Sequence, residues 1–539
     1  MNSQLDAPVL IAGGGLVGLS MAMFLAQHGV ASLAIERLVG GSPLPRAGHF
    51  HLRTLELFRS AGIEDEVKRR SEADFVPEGA IIAMDNLSGR KLADIIPSLN
   101  EGVAPLSPCR RLFINQPSLE QVLRKRAAEA GARVLEGYEI TAIEQDADGV
   151  AVTARNIADG TTRTLRGRYL VGADGAHSKV RELLSIPYDG RGIFSNSMTV
   201  YFRANLAPQL LGKPLSVIYI NNATFGGFIR VDKDCQAGFI GVNTVGDPKA
   251  DPAAAANAAS DTSEPRLIEI VRAMAGVPDL PVKIVGVARW RATSDVARRF
   301  QDGRIFLVGD AAHLMPPNGG FGGNTGIQDA HNLAWKLACV LNGAAKASLL
   351  ASYETERKPV GKFTVEQAYT RYVTRTATYL NKTDFQPLAP DFNIELGYLY
   401  PSGAIAPESD DPKVHDDPHK TAGRPGSRAP HIWIERGGRK VSTLDLFGAS
   451  FVLLAGLQGA AWRDAAQAVA GKFPGLALDV HIVGGPDVRD PDSAFAAAYD
   501  ISPTGAVLVR PDGFVAWRAK SLAGDPGAAL TQALTRVLH

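Results

Sequence analysis

The stretch PVLIAGGGLVGLSMAMFLAQHGVASLAIE, residues 8–36, decides the fold class of this chain. Its first apolar run, residues 8–12, has the composition of a β-strand that is buried on both faces. A glycine turn and a helical segment (residues 19–28) follow, and a second apolar strand, residues 32–35, ends at Glu36. A strand, a turn, a helix and a strand in this order predict a Rossmann-like βαβ unit of an α/β fold.

The turn Gly13-Gly14-Gly15-Leu16-Val17-Gly18 has the spacing GxGxxG. Gly13 permits a tight turn, Gly15 lets the backbone approach a pyrophosphate, and Gly18 lets helix and strand pack closely. The helix N-terminus offers N–H groups and roughly half a positive charge to phosphates. Glu36 lies eighteen residues after Gly18, near the spacing of an acid that holds ribose hydroxyls. The motif predicts a dinucleotide site and leaves open whether FAD or NAD occupies it.

Two further segments have the same strand–turn–helix character. RYLVGADGAHSKVR, residues 168–181, predicts a strand over 169–173 that ends at Asp174. GRIFLVGDAAHLMPPNGGFGGNTGIQDAHNLAWKLA, residues 303–338, predicts a strand over 305–309 that delivers Asp310 to the ligand-binding edge of the sheet. A glycine-rich loop, residues 319–324, then opens a helix whose apolar residues recur every three or four positions and predict one apolar face. Such a helix N-terminus favours the anionic edge of a reduced flavin.

These three motifs, in this order, resemble the class A flavoprotein aromatic hydroxylases, the group around para-hydroxybenzoate hydroxylase. Within that group the chain is most similar to the longer phenol and aromatic-polyketide hydroxylases. The segments PRAGHFHLRTLELFRSAGI, residues 45–63, and NQPSLEQVLR, residues 115–124, also match. The resemblance covers roughly residues 7–375, and a similar tail extends it almost to the end.

The resemblance implies FAD as the bound cofactor and assigns residues to it. The residues expected along the cofactor, from its pyrophosphate and adenosine half to its flavin ring, are Gly13, Gly15, Val17, Gly18, Glu36, Arg37, Arg46, Gln116, Ile140, Asp174, Asp310, Gly323 and Asn324. The loop departs from the commoner GGQGMN pattern at Phe321 and Gly323, which leaves the backbone role of the loop in place.

The implied reaction is hydroxylation of an aromatic ring by O2 through a flavin hydroperoxide, with NADPH or NADH as co-substrate. The cofactor carries the chemistry, and the protein supplies orientation and exclusion of water. The family's substrate-facing backbone position falls at Pro317, and no metal ligand set is expected. The chain has one GxGxxG, so we expect NAD(P)H to bind transiently over the FAD domain, near the DG segment and Arg46. His49 and His51 are weaker candidates near the flavin.

The expected architecture is a Rossmann-like FAD-binding domain with an inserted mixed β-sheet substrate domain and a C-terminal thioredoxin-like α/β domain. The FAD-binding domain is expected at residues 1–75, 110–190 and 285–380, and the substrate domain at residues 76–109 and 191–284. A linker is expected at residues 381–428 and the thioredoxin-like domain at 429–539. That last segment has no cysteine, which excludes a dithiol redox role for it.

The amino-acid composition of the chain indicates which classes of binding partner to expect. Lys and Arg total 57 against 56 for Asp and Glu, so no basic excess points to nucleic acid. Cys109, Cys235 and Cys339 are scattered and form no metal or CxxC spacing. No leader-like or membrane-spanning stretch is visible, and we expect a cytoplasmic monomer or homodimer that binds an aromatic small molecule and O2.

Several alternatives stay open at this level. A Baeyer–Villiger oxygenation of a fused-ring polyketide ketone would use the same cofactor. An FAD-dependent reductase would normally carry a nicotinamide domain, and a flavin-dependent halogenase would carry a WxWxIP segment; neither is visible. A non-enzymatic flavin-binding protein is the remaining possibility. The substrate itself, whether a simple phenol, a nitro- or chlorophenol, a catechol or a polycyclic polyketide, is not readable from the sequence.

Overall fold

A computed structural model describes residues 5–41, 48–222, 224–245, 258–377, 383–409, 413–522 and 524–539. Arg46 lies outside these ranges. A six-stranded sheet contains the predicted βαβ unit, and five of its six strands are paired in parallel. In spatial order its strands are Gln301–Asp302, Ile305–Leu307, Tyr169–Gly172, Val9–Ala12, Ser32–Glu36 and Arg133–Glu136. The strands of all three predicted nucleotide-binding motifs are parallel neighbours, so their carboxyl ends lie at the same end of one sheet.

A mixed eight-stranded sheet forms the second layer that shapes the site. In order its strands are His313–Leu314, Lys283–Ala297, Tyr188–Arg203, Ala237–Val245, Phe225–Val231, Leu215–Asn221, Ala80–Met84 and Lys91–Ile96. One face packs against the helix Glu264–Ala275, whose apolar residues Leu267, Ile270, Val271 and Met274 are buried. The other face carries Tyr219, Phe228 and Phe239, and it is the face that borders the cavity described below.

The C-terminal unit has its own four-stranded sheet, in the order Leu478–Ile482, Phe451–Ala455, Ala506–Val509 and Val515–Ala519. A βαβ unit followed by a β-hairpin and a helix gives the thioredoxin-like arrangement expected from the sequence. A turn at Asp512 and Gly513 joins the hairpin strands, with Gly513 at φ +74°. Smaller sheets comprise Thr162–Gly167, Val150–Asn156 and Tyr138–Gln145; Arg439–Ser442, Trp433–Arg436 and Val488–Arg489; and His49–Phe50 with Leu112–Phe113.

The helices surround these sheets. The α-helices are Leu16–Gln27, Leu52–Ser60, Glu64–Asp74, Gln116–Glu129, Lys179–Leu183, Ala207–Leu210, Glu264–Ala275, Phe321–Leu341, Ala351–Arg371, Asp391–Glu395, Ala460–Ala470, Phe495–Ala498 and Pro526–Leu538. Short 3-10 turns occupy Gly309–Ala311, Ala347–Leu350 and Thr443–Leu446, and a π-helical turn occupies Tyr372–Thr376. Within the described ranges, no helix is both long and apolar enough to cross a bilayer.

The helix Phe321–Leu341 corrects one prediction. The sequence predicted a single apolar face, whereas the structure buries the helix on all sides from Asn324 to Ala338, including Lys336. Lys336 pairs with Glu356 of the neighbouring helix Ala351–Arg371 at 2.7 Å, and Arg510 of the C-terminal unit pairs with the same carboxylate at 2.6 Å. The helix also begins at Phe321, so the predicted loop 319–324 is shorter and its last residues form the first helical turn.

A second buried ion cluster joins the C-terminal unit to the helix Leu52–Ser60. Glu56 accepts two hydrogen bonds from Arg428, at 2.7 and 3.0 Å, and one from Arg53 at 3.0 Å. The Ser107 hydroxyl donates a fourth, at 2.7 Å. The side chains of Glu56, Arg428 and Arg53 are only 2%, 5% and 6% exposed. Burial works against this carboxylate, but the arginines lower the pKa of Glu56 to about 2. The domain boundaries predicted from the sequence remain predictions.

Candidate functional site

One extended cavity, of about 2370 Å³, is lined by residues of both large sheets. Typical small-molecule pockets measure roughly 300–1,000 Å³, so this cavity has room for a dinucleotide and a second ligand. Of the predicted cofactor residues that the structure describes, ten line it: Gly13, Gly15, Val17, Glu36, Arg37, Gln116, Ile140, Asp174, Asp310 and Gly323. Gly18 and Asn324 lie behind its wall, and Pro317 lines it.

The glycine turn shows why each glycine is needed. Gly13 has φ +101°, and a Cβ there would lie 2.5 Å from the carbonyl oxygen of Ala173. A Cβ on Gly18 would lie 2.0 Å from the carbonyl oxygen of Gly13, so this glycine permits the helix to pack on the turn. A Cβ on Gly15 would have Glu120 Oε1 as its nearest atom, at 3.7 Å. The backbone of Gly15 is therefore open to the cavity, where a phosphate can approach the N-terminus of helix Leu16–Gln27.

Glu36 is held by the backbone of its own neighbourhood. Its Oε2 accepts a hydrogen bond from Gly14 N at 2.6 Å, and its Oε1 accepts one from Leu38 N at 2.8 Å. Each carboxylate oxygen has a second lone pair, so ribose hydroxyls can still bind from the cavity side. Arg37 is exposed beside it, and Gln116 donates to Glu120 Oε1 at 2.7 Å.

The two predicted aspartates differ in exposure. Asp174 Oδ2 accepts a hydrogen bond from Val180 N at 3.0 Å, while its buried Oδ1 has no partner within the described residues. Burial raises the pKa of Asp174. Asp310 is exposed and lies at the cavity. The preceding Gly309 has φ +62° and is anchored by a hydrogen bond from its N–H to the buried carboxylate of Asp329, at 3.0 Å.

The second helix N-terminus is built by a turn of glycines. Gly319 and Gly320 have φ +90° and +71°, and Gly320 N donates to the carbonyl oxygen of Pro317 at 3.0 Å. Pro317 itself is exposed to the cavity. The Asn324 side chain is a clamp: its Oδ1 accepts from His51 N at 2.9 Å, and its Nδ2 donates to the carbonyl oxygens of His49 and Gly320 at 2.9 and 2.7 Å.

These features fit FAD. Two helix N-termini open onto one cavity, neither with a side-chain cap in the described ranges, so their N–H groups can reach phosphate oxygens and an anionic ring edge. The open backbone at Gly15 and the unpaired buried Oδ1 of Asp174 are complementary to a dinucleotide. When bound, FAD would supply the redox and oxygen chemistry, which no side chain of the site supplies.

The other end of the cavity is formed by the eight-stranded sheet, which contributes aromatic and aliphatic side chains together with polar and charged ones. The apolar part of its lining includes Ile81, Phe113, Tyr201, Val217, Tyr219, Phe228, Phe239 and Trp290, and the polar part includes Asn196, Thr199, Arg289 and Arg291. Side chains on alternate positions of a strand face opposite sides of the sheet, so the structure separates pocket residues from those that pack against the helix Glu264–Ala275.

Arg230 is a site residue that sequence reasoning missed. Its guanidinium lies 3.6 Å above the ring of Phe75 and 4.4 Å from that of Phe113, and the residue is 5% exposed. Its Nε and Nη2 have no hydrogen-bond partner among the described residues. Burial lowers the pKa of Arg230 to about 9, with partial compensation from Asp74. The available signal was a single arginine inside the apolar strand FGGFIRV.

The two candidate histidines lie between the flavin loop and the aromatic end. The His49 ring stacks on Phe113 with centroids 4.6 Å apart, and His51 Nε2 lies 2.9 Å from the carbonyl oxygen of Gly319. Burial, with nearby cations such as Arg230, holds the pKa of His49 well below its usual value. His49 is therefore neutral at physiological pH.

Comparison with known proteins agrees with this geometry. Residues 6–368 match the family described as FAD binding domain, and residues 422–539 match the family described as aromatic-ring hydroxylase, C-terminal. The chain is 49% identical over 540 residues to a 4-methyl-5-nitrocatechol 5-monooxygenase of Burkholderia sp., an alignment that covers 99% of this chain and 98% of that one. It is 38% identical to a tetracenomycin A2 monooxygenase-dioxygenase of Streptomyces glaucescens, covering 99% and 97%.

Among solved structures, a ternary complex of aklavinone-11 hydroxylase with FAD and aklavinone superposes with a TM-score of 0.92 at 35% identity and covers 99% of both chains. The predicted resemblance, the fold class and FAD as the cofactor are thereby confirmed. The chain belongs to the family of FAD-binding aromatic-ring hydroxylases and is an FAD-dependent aromatic monooxygenase.

Proposed function

We propose that this monooxygenase uses NADPH or NADH and O2 to hydroxylate a small, acidic phenol of the nitrocatechol type, which it binds as the anion. FAD would lie along the cavity from Glu36 to the glycine turn before Phe321, with the ring to be oxidised between Pro317 and the eight-stranded sheet. The single observation that carries the substrate class is the buried guanidinium of Arg230 in the cavity wall, whose Nε and Nη2 have no hydrogen-bond partner among the described residues.

A buried cation without a partner is unfavourable, because burial removes hydration that no protein group replaces. Phe75 and Phe113 offset part of this cost through cation–π contacts. The open Nε and Nη2 donors of Arg230 would be satisfied by an anionic oxygen of the substrate. A nitro group withdraws electrons and lowers the pKa of a ring hydroxyl, so a nitrocatechol binds as the anion near neutral pH.

The 49% identical relative is named for a 4-methyl-5-nitrocatechol and for oxygenation at its position 5, the carbon that carries the nitro group. Oxygenation at such a carbon replaces nitrite. Per nitrocatechol monoanion, the balanced reaction consumes one O2, one NAD(P)H and one proton, and it yields a hydroxyquinone, nitrite, NAD(P)+ and water. The protein's part is to hold the oxyanion at Arg230, present the ring carbon beside Pro317 and exclude water through the aromatic lining.

The test is oxidation of NADPH and of NADH by the FAD-loaded protein, with and without a panel of aromatics. The panel contains a methylnitrocatechol, a nitrocatechol, a methylcatechol without a nitro group and a fused-ring anthraquinone. We expect fast oxidation only with the nitrocatechols, with equimolar nitrite release.

Arg230→Met is the matched variant, since it removes the charge and keeps an apolar side chain between the two rings. Loss of a charge-assisted hydrogen bond of about 1.5–3 kcal/mol weakens binding of the nitrocatechol about 10- to 100-fold. Binding of the uncharged methylcatechol should change little. Equal rates with all aromatics, or turnover of the anthraquinone alone, would move the assignment to the fused-ring substrates of the polyketide relatives.

A further inference from the structure

Asn318 is a second buried polar side chain of the aromatic chamber. It follows Pro317, is only 3% exposed and lines the cavity. Its Nδ2 donates to the hydroxyl of Thr376 at 2.7 Å, while its buried Oδ1 has no hydrogen-bond partner in any described segment. Buried acceptors in folded proteins are nearly always paired. An unpaired one in a ligand cavity indicates that the ligand brings the donor.

The orientation of the Asn318 side-chain amide is constrained by the residues before and after it in the chain and by Thr376. Pro317 restricts the backbone before it, and the left-handed Gly319 and Gly320 turn the chain away after it. Thr376 lies in the π-helical turn Tyr372–Thr376, a local widening of the helix that is frequently found at functional sites. Because Nδ2 is held by Thr376, Oδ1 is the amide atom that is left without a partner among the described residues.

Asn318 and Arg230 belong to one chamber. The Tyr219 side chain interacts with Asn318, and Tyr219 pairs across the sheet with Phe228, two residues before Arg230 on the same strand face. Arg230 and Asn318 therefore line the same cavity on either side of Tyr219, with Arg375 also beside the Tyr219 hydroxyl. Among the described lining residues, Arg230 offers donors without a partner and Asn318 offers an acceptor without a partner.

We propose that Asn318 accepts a hydrogen bond from a second, un-ionised hydroxyl of the substrate, and so selects dihydroxylated rings over monohydric phenols. This inference rests on the proposed function, in which Arg230 holds the oxyanion. A catechol monoanion carries one oxyanion and one O–H donor, which matches the two open groups. A monohydric phenolate would pair its oxyanion with Arg230 but would offer no donor to the Oδ1 of Asn318.

The experiment is equilibrium binding of a nitrocatechol and of the nitrophenol that lacks its second hydroxyl. Binding to the FAD-loaded protein without NAD(P)H is followed by the change in flavin absorbance. The wild type should prefer the nitrocatechol about 5- to 100-fold, the effect of leaving one buried acceptor unpaired. Asn318→Leu should abolish this preference and change the nitrophenol Kd less than about twofold.

Thr376→Val tests the same idea without touching the acceptor, because it frees the amide to rotate. This variant should reduce the preference for the nitrocatechol over the nitrophenol several-fold while the flavin spectrum stays unchanged. It also provides the test if Asn318→Leu fails to fold. An unchanged preference in either variant, or equal binding of both ligands by the wild type, overturns the role of Asn318 and leaves the proposed function standing. Failure of the wild type to bind either ligand overturns both.

Discussion

Replacing Glu56 by Gln tests whether the ion cluster between the C-terminal unit and the helix Leu52–Ser60 stabilises the fold. The change is isosteric, so it removes a charge without opening a cavity. It leaves Arg53 and Arg428 buried with no carboxylate between them. A pKa lowered from 4.5 to about 2 corresponds to about 3 kcal/mol of preference for the carboxylate. Breaking buried pairs elsewhere costs about 3–5 kcal/mol. We expect Glu56→Gln to lower the free energy of unfolding by about 3 kcal/mol.

The assay is urea-induced unfolding followed by tryptophan fluorescence at neutral pH. Glu66→Gln is the control, because Glu66 makes the same kind of ion pairs on the exposed surface of the next helix. The carboxylate of Glu56 has a lowered pKa in the folded state, so its stabilisation is complete above about pH 4.5 and is lost as the pH falls towards 2. The difference between wild type and Glu56→Gln should shrink over that interval. Equal stability of the Glu56 and Glu66 variants at neutral pH would refute the reasoning.

Further predictions concern the cofactor end. Gly18→Ala should abolish FAD retention, because its Cβ would lie 2.0 Å from the carbonyl oxygen of Gly13. Visible absorbance of the purified protein measures this, and Gly471→Ala is the control, because that glycine has open space around it and a φ of −66°. Asn324→Ala removes three hydrogen bonds that hold the flavin loop, and it should weaken FAD binding about 10- to 100-fold in equilibrium dialysis. Normal FAD affinity in Asn324→Ala would show that the clamp is dispensable.

The parts of the site that the sequence predicted are those set by local backbone geometry. Gly13 and Gly18 are required by the tight packing of this strand–turn–helix connection, Gly15 leaves its backbone open to the cavity, and Asp310 follows its strand to the sheet edge where ligands bind. Such features depend on a few neighbouring residues, so spacing alone locates them.

The parts that escaped prediction depend on distant contacts. Arg230 reads as an ordinary charged residue at the end of an apolar strand, and only the approach of Phe75 and Phe113 buries it. Asn318 lies inside the recognised motif, but its unpaired Oδ1 appears only when Thr376 binds its Nδ2. The burial of Lys336 likewise depends on Glu356 of another helix and on Arg510, which shares that carboxylate, and the periodicity of its own helix reveals neither.

The strand order of the six-stranded sheet has a consequence for synthesis on the ribosome. The central strand Tyr169–Gly172 pairs on one side with Val9–Ala12 and on the other with Ile305–Leu307, which is translated about 300 residues after the first. At about 5–20 residues per second, the nascent chain exposes the unfinished sheet for roughly 15–60 s. During that time an apolar strand edge is open to other chains. Conditions that limit contact between nascent chains, such as slower initiation of translation, a lower expression temperature or an added chaperone, should therefore raise the yield of folded protein.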